Sequence, residues 1–228
     1  MPLNDIVDRR ADSINRPERP IPSGLIRLNE AVVLFVAVSA MGLAAARLLG
    51  RSVFVVSLVI FAIATLYNLV GKGWGVLGNA MVSVAVAGTF IVGSLAAGSY
   101  GAKTTLLVAL GFSASLALET AGDILDAPGD RVQGVASFAT TRGDRAAQAL
   151  YRLFVVLFLL VCIVAPALMG EAYVRLLWVT IPTGIGFAVL SSMFLRSRGK
   201  ECSSARGTRI ILIQAAFLTA SVAALALV

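Results

Sequence analysis

Residues 52–71 read SVFVVSLVIFAIATLYNLVG, a run of apolar and small polar residues without a charged side chain. A helix that crosses a bilayer needs about 20 mainly apolar residues, so this stretch by itself predicts a transmembrane helix. Further charge-free stretches of comparable length lie on both sides of it, at 31–46, 73–102, 104–118, 153–170, 176–195 and 210–228. The sequence therefore predicts an all-α fold, a polytopic membrane helix bundle in which seven transmembrane helices are visible.

The composition of the 228-residue chain supports the same fold class. Hydrophobic residues make up 58% of it and charged residues 14%, and the mean hydropathy is +0.91. A soluble domain carries about 25% charged residues, so soluble and disordered chains are excluded. Histidine is absent, which excludes haem ligation by histidine, histidine-containing zinc sites and Ser-His catalysis. The two cysteines, Cys162 and Cys202, lack metal-ligand spacing.

The basic residues are distributed unevenly between the two predicted sides of the membrane. One side holds residues 1–30, the turn at Lys72, and segments 119–152 and 196–209, which together carry 15 of the 19 lysines and arginines. Because cytoplasmic loops accumulate basic residues, we expect this side to face the cytoplasm and the chain to lie in the cell membrane. The same asymmetry explains the net charge of +7 better than nucleic-acid binding does.

Seven of the twelve acidic residues fall in two short clusters at the predicted cytoplasmic ends of helices. The clusters comprise Asp5, Asp8 and Asp12, and then Glu119, Asp123, Asp126 and Asp130. Asn4, Asp8 and Asp12 are spaced by four residues, and so are Asp126 and Asp130, which places each row on one helix face. Like charges at this spacing repel each other, which favours a neutralising cation. Oxygen ligands without histidine or thiolate favour Mg²⁺.

Basic residues share the loops of these acidic clusters, and they are Arg9, Arg16, Arg19, Lys72 and Arg131. Mg²⁺ prefers one or two carboxylates plus substrate phosphate oxygens to a full protein cage, and arginine binds phosphate through paired hydrogen bonds. Two carboxylate rows with such cations therefore predict a site for a magnesium diphosphate. The open alternative is a solvated loop in which these acids and bases pair with one another.

Three segments resemble motifs of one family of membrane enzymes. Residues 4–24, NDIVDRRADSINRPERPIPSG, resemble the first aspartate-rich motif of the UbiA superfamily of intramembrane prenyltransferases. Residues 122–143, GDILDAPGDRVQGVASFATTRG, resemble the second motif, and residues 67–79, YNLVGKGWGVLGN, are similar to the tyrosine-lysine segment that lies between them. The resemblance covers essentially the whole chain, and its predicted spans correspond to helices three to nine of the family's nine-helix fold.

The resemblance implies roles for individual residues. The carboxylates expected to act in catalysis are Asp8, Asp12, Asp126 and Asp130. The expected Mg²⁺ ligands are Asn4, Asp5, Asp8, Asp12, Asp123, Asp126 and Asp130. The residues expected to bind diphosphate or phosphate are Asn4, Arg9, Arg16, Arg19, Tyr67, Lys72 and Arg131.

The resemblance also implies a reaction. Glu119, four residues before Asp123 and the pattern D-x-x-D-x-x-G-D that begins there, is similar to the archaeal branch that prenylates geranylgeranylglyceryl phosphate. Ala127-Pro128 and residues 137–139 depart from that branch. The expected activity is Mg²⁺-dependent transfer of a geranylgeranyl group from geranylgeranyl diphosphate to the acceptor hydroxyl, which forms the second ether bond of archaeal membrane lipids. The expected partners are this diphosphate, the lipid-like acceptor and membrane lipid, without nucleic acid.

Two other functions remain open, and one expectation concerns the length of the chain. The same transfer to an aromatic or tetrapyrrole acceptor is possible, because the shape of the cavity sets the choice of acceptor. A transporter or receptor is a more distant alternative, since transporters place ionisable groups at the bilayer midplane and these spans are nearly free of charge. We expect one domain over 1–228 that lacks the first two family helices, because only Met1, Pro2 and Leu3 precede the first motif.

Overall fold

The computed structural model of the chain describes residues 2–15, 17–198 and 204–227. Over these ranges the ordered elements are helices, and no β-strand occurs among them. The helices are α1 (Pro2–Val7), α2 (Arg9–Asn15), α3 (Leu28–Leu49), α4 (Arg51–Leu69), α5 (Val76–Ala96), α6 (Ala102–Gln133), α7 (Phe138–Arg142), α8 (Asp144–Leu168), α9 (Glu171–Val174), α10 (Leu177–Arg198) and α11 (Ser204–Leu227). A 3₁₀ turn, Gly71–Trp74, connects α4 to α5. The predicted all-α fold is confirmed.

Six of the described helices are long and apolar enough to cross a membrane, namely α3, α4, α5, α6, α8 and α10. The seventh predicted span, 210–228, coincides with α11, but the apolar part found among the described residues, Gly207–Ala223, is shorter than these six. Large apolar side chains such as Val33, Met41 and Trp178 are exposed on the outside of the bundle. Lipid tails solvate such side chains, so the outer surface is that of a multi-pass membrane protein.

α6 lies at the centre of the bundle, where it contacts α5, α8 and α11 as well as the short helices α2 and α7. Its residues Ala117, Ala121 and Ile124 are fully buried. Small side chains let neighbouring backbones approach closely, and van der Waals packing of this kind is what holds membrane helices together. Because α6 is central, side chains on its inner faces can contact more than one neighbouring helix.

α6 is also much longer than the charge-free stretch 104–118 from which it was predicted. Its 32 residues extend for about 48 Å at 1.5 Å per residue, whereas the hydrocarbon core of a bilayer is about 30 Å thick. The second acidic cluster therefore lies on the C-terminal part of the same helix. The helix ends at Gly134, whose φ of 71° lies in the left-handed region that favours glycine.

A buried polar network joins α8, α10 and α11. The Tyr151 hydroxyl donates to Ser191 Oγ over 2.9 Å, and Gln214 Nε2 donates to Ser191 Oγ over 2.9 Å and to Tyr151 Oη over 3.2 Å. The three side chains are buried. Polar groups inside a bilayer have to find partners within the protein, so this network fixes the relative positions of three helices.

Candidate active site

Residues from both acidic clusters line one polar cavity with a volume of about 250 Å³. The residues around this polar cavity are Asn4, Asp8, Asp12, Arg19, Tyr67, Lys72, Glu119, Asp123, Asp126, Asp130, Val135 and Ser137. The two clusters are separated by more than 100 residues of sequence, so it is the packing of the helices that brings them around a common volume. Most residues of the predicted site are found here.

The first row, Asn4, Asp8 and Asp12, occupies one face of an almost continuous helical segment made of α1 and α2. The amide of Asp8 donates to the Asn4 carbonyl over 2.8 Å, and the amide of Asp12 donates to the Asp8 carbonyl over 2.8 Å. These are hydrogen bonds between residues four apart, as in an α-helix. The predicted helical spacing of this row is thereby confirmed, and all three side chains line the polar cavity.

The second row lies on one face of α6, because positions 119, 123, 126 and 130 follow the helical period. The adjacent helix α5 positions one of its carboxylates: Asn79 Nδ2 donates to Asp123 Oδ2 over 2.9 Å. The Asn79 side chain is buried, so this hydrogen bond is shielded from bulk solvent. Asn79 was not among the predicted site residues, although it ends the tyrosine-lysine segment, because sequence gives no sign of which carboxylate it reaches.

Lys72 projects from the 3₁₀ turn towards the first row. Its Nζ donates to Asn4 Oδ1 over 3.0 Å and forms an ion pair with the Asp8 carboxylate. The turn lies against α5 at Gly78, where a Cβ atom would come within 2.4 Å of the Gly71 carbonyl oxygen. Glycine at this position therefore allows the close approach that places Lys72 at the cavity.

Arg19 is the second cation of the polar cavity. Its guanidinium donates to Asp12 Oδ2 over 2.7 Å and to Asp5 Oδ1 over 3.2 Å. Burial acts to lower the pKa of Arg19, but the hydrogen bond to Asp12 and the charges of Asp12, Asp5 and Asp8 outweigh it and raise the pKa. The side chain is therefore held as a cation next to the carboxylates. Asp5 does not line the polar cavity, but it is held next to the site by its ion pair with Arg19.

Two of the predicted phosphate-binding residues are not brought to the polar cavity. Arg9 is exposed and donates to the Ile6 carbonyl over 3.0 Å. Arg131 forms an ion pair of 2.7 Å with Asp144, and both side chains are 46% exposed. Arg16 lies outside the described residues. Exposure of this kind depends on how the loops fold back, and the local sequence does not show it.

The donor set of the polar cavity fits a hard divalent cation. It consists of carboxylate oxygens from both rows and the amide of Asn4, which are the ligands that Mg²⁺ prefers. Within the described residues, no three His, Cys, Asp or Glu side chains form a ready-made cage. Mg²⁺ itself keeps several waters and takes one or two carboxylates plus phosphate oxygens.

An apolar cavity of about 360 Å³ lies among α5, α6, α8, α10 and α11. Its wall includes Phe90, Leu118, Phe158 and Leu218, and its volume lies within the range of small-molecule pockets. Glu119 is the only described residue that lines both this apolar cavity and the polar cavity. Glu119 was placed in the second acidic cluster but was given no role in the site. Its position on the same helix face as Asp123 was the available signal.

The fold and the site define a class of protein: an α-helical membrane protein that holds two carboxylate rows and two cations around a polar cavity, next to an apolar one. A comparison with family models gives this class a name. The model of the UbiA prenyltransferase family matches residues 1–226. The chain belongs to the UbiA prenyltransferase family, and the resemblance predicted from its motifs is confirmed.

Two curated relatives show what the chain is similar to. A digeranylgeranylglyceryl phosphate synthase of Korarchaeum cryptofilum is 39% identical over 144 residues, which are 62% of this chain and 50% of the relative. A digeranylgeranylglyceryl phosphate synthase of Thermococcus kodakarensis is 28% identical over 217 residues, which are 95% of this chain and 76% of the relative. The match thus spans half of the Korarchaeum protein's length.

A solved structure has the same fold. A UbiA homolog of Archaeoglobus fulgidus, solved with DMAPP and Mg²⁺ bound, superposes with a TM-score of 0.71 at 17% identity and covers 97% of this chain and 82% of the homolog. At this identity the similarity shows the fold alone. The predicted bundle of family helices is therefore confirmed at the level of architecture.

Proposed function

We propose that the chain transfers a geranylgeranyl group from geranylgeranyl diphosphate to the hydroxyl of geranylgeranylglyceryl phosphate in a Mg²⁺-dependent reaction. The product carries the second ether bond of an archaeal membrane lipid. The proposal draws on the archaeal relatives, which are named digeranylgeranylglyceryl phosphate synthases. It also draws on the site itself, whose two halves match the two halves of a prenyl diphosphate.

The observation that carries the proposal is the junction of the two cavities. The polar cavity has carboxylates, Arg19 and Lys72 on its wall, whereas the wall of the apolar cavity is mainly aliphatic and aromatic. A prenyl diphosphate has a charged head and a hydrocarbon tail, so each part finds a matching environment. The reacting C1 atom of the donor connects these two parts and would lie at the junction.

The residues of the polar cavity would hold and polarise the diphosphate. Asn4 and the carboxylates of the two rows, namely Asp8, Asp12, Asp123, Asp126 and Asp130, are the proposed Mg²⁺ ligands, and Asp5 supports them through Arg19. Bound Mg²⁺ supplies neutralisation of the charge that develops on the leaving diphosphate. Lys72 and Arg19 would bind the remaining phosphate oxygens, and Tyr67 lines the same space. The apolar cavity would keep water from the allylic centre.

The proposed location of the reaction is the cytoplasmic face of the cell membrane. The polar cavity is built by α1, α2, the Lys72 turn and the C-terminal part of α6. These segments belong to the side that carries 15 of the 19 basic residues. Since basic loops stay in the cytoplasm, the diphosphate would enter the polar cavity from the cytoplasmic side.

A side-by-side acceptor assay tests the proposal. The purified chain is incubated with geranylgeranyl diphosphate and either geranylgeranylglyceryl phosphate or 4-hydroxybenzoate, with Mg²⁺ or with excess EDTA. We expect the diether product and diphosphate from the first acceptor, only with Mg²⁺. A product formed from 4-hydroxybenzoate alone would move the chain to the branch with aromatic acceptors. Equal diether formation in EDTA would contradict the role of the metal.

A further inference from the structure

We propose that Glu119 recognises the acceptor, by binding the attacking hydroxyl and receiving its proton as the ether bond forms. This inference rests on the proposed function and adds a residue to it. Glu119 is the one described side chain common to the polar and the apolar cavity. If the diphosphate occupies the polar cavity and the prenyl chain the apolar one, then C1 of the donor lies beside the Glu119 carboxylate.

None of the other acidic side chains of the polar cavity lines the apolar cavity, and three of them have a partner. Asp123 accepts a hydrogen bond from Asn79, Asp8 is paired with Lys72, and Asp12 is paired with Arg19. By contrast, no hydrogen bond or ion pair within the described part of the chain engages the Glu119 carboxylate. Its oxygens are therefore available to accept a hydrogen bond from a ligand.

Glu119 is partly buried and lines the polar cavity together with Lys72. The Lys72 ammonium group is paired with Asp8. A buried carboxylate is most stable when a hydrogen-bond donor accompanies it, and the acceptor hydroxyl would provide that donor.

The chemical step balances without a further reactant. The bond between C1 and the diphosphate oxygen breaks, and its electron pair leaves with the diphosphate. The oxygen of the glycerol hydroxyl forms the new bond to C1, and its proton passes to a Glu119 carboxylate oxygen. No group is oxidised or reduced, and Glu119 is returned to its charged form when the proton is released to water after the product departs.

The test measures acceptor binding by the wild-type chain, by Glu119→Leu and by a control variant, Glu171→Gln. Glu171 lies on the side of the membrane that is predicted to face outwards. Glu171 is exposed at the start of α9 and lines neither cavity. The ligands are geranylgeranylglyceryl phosphate and its deoxy analogue, in which hydrogen replaces the free hydroxyl. We expect the wild-type chain and Glu171→Gln to prefer the hydroxyl form by about tenfold, as for a hydrogen bond to a charged group. Glu119→Leu loses this preference.

A turnover measurement completes the test. Glu119→Gln keeps the shape of the side chain but removes the proton acceptor, so kcat for the diether falls by about 100-fold while Mg²⁺-dependent binding of geranylgeranyl diphosphate is unchanged. A hydroxyl preference that persists in Glu119→Leu, or wild-type turnover by Glu119→Gln, would overturn the inference. If the wild-type chain binds neither geranylgeranylglyceryl phosphate nor its deoxy analogue, that result overturns the proposed function together with this role of Glu119.

Discussion

At the residue scale, Lys72 is a cation in the polar cavity that both acidic rows line. Its Nζ contacts Asn4 and Asp8 of the first row, and it lines the same polar cavity as the second row. An anionic diphosphate in the polar cavity would compete with Asp8 for the same ammonium group. The ion pair would thus hold the lysine in place until the donor substrate binds.

The substitution Lys72→Met tests this role. Because a hydrogen bond to a charged group contributes about 1.5–3 kcal/mol, we expect the Kd for geranylgeranyl diphosphate to rise about tenfold or more, with a much smaller change for the acceptor. Equilibrium binding of each ligand in Mg²⁺ measures the two values. The control is Lys103→Met, which changes an exposed lysine at the N-terminal end of α6. Equal losses for both ligands would leave Lys72 only a role in topology.

Individual contacts were the part of the site that sequence could predict least. The spacing of Asn4, Asp8 and Asp12 gave their common face, because helical periodicity is local. The partner of Asp123 could not be predicted, since Asn79 reaches it from another helix. Arg131 was expected to bind phosphate, but it pairs with Asp144 at the surface. Such pairings depend on tertiary structure, which no local pattern encodes.

At the scale of elements, the 3₁₀ turn packs against α5, and this contact positions Lys72 at the polar cavity. The close approach of Gly71 and Gly78 leaves no room for a side chain at position 78. Gly73 lies in the same turn, but a Cβ there would meet nothing within 4 Å. The two glycines therefore offer a matched pair of substitutions.

We expect Gly78→Ala to displace the turn and to weaken the binding of geranylgeranyl diphosphate by about tenfold, because Lys72 no longer reaches the polar cavity. Gly73→Ala should bind the donor as the wild-type chain does. Donor titrations of the two variants make the comparison. Wild-type affinity in Gly78→Ala would show that the position of the turn is not what holds Lys72.

The network on α8, α10 and α11 makes a separate prediction about stability. Tyr151→Phe removes the hydroxyl that contacts Ser191 and Gln214. We expect a loss of about 1 kcal/mol, which corresponds to a melting temperature about 2–4 °C lower for a chain of this size. Thermal unfolding in mild detergent measures it, and Tyr100→Phe, at an exposed tyrosine, is the control. Equal melting temperatures for the two variants would show that the network adds no stability.

Sequence predicted the elements unevenly. The stretch 52–71 gave α4 almost to its ends, because an uninterrupted apolar run of one membrane thickness has few other structures. α6 was predicted from 104–118 alone, although the helix continues to Gln133. Its charged residues and Pro128 interrupt the hydropathy pattern, and only packing against α2, α7 and α8 reveals that the helix and the acidic cluster are one element.

At the scale of the whole molecule, charge and chemistry fall on the same side. The basic loops, both acidic rows and the polar cavity all belong to the side predicted to be cytoplasmic. The proposed function therefore depends on the orientation of the chain in the membrane. If the orientation were reversed, the diphosphate would have to be supplied from outside the cell.

Cysteine labelling tests the orientation. In a chain whose native Cys162 and Cys202 are replaced by serine, single cysteines are introduced at Ser23, exposed before α3, and Ser99, exposed between α5 and α6. A membrane-impermeant maleimide added to intact cells should label Ser99→Cys at once and Ser23→Cys only after lysis. The opposite pattern would invert the topology and would place the polar cavity outside the cell.

The central claim is that the two acidic rows form a single magnesium diphosphate site. A double-mutant cycle across the polar cavity tests it most directly, with Mg²⁺-dependent binding of geranylgeranyl diphosphate as the measurement. Asp8→Asn and Asp126→Asn each remove one carboxylate from opposite rows, and both changes nearly preserve side-chain volume.

We expect each single variant to lose most of its Mg²⁺-dependent affinity while it still inserts and purifies normally. The double variant should bind no more weakly than either single one, because residues that act on one ligand as a unit are not additive. Losses that simply add, or donor binding that is the same with and without Mg²⁺ in all four proteins, would contradict a shared site.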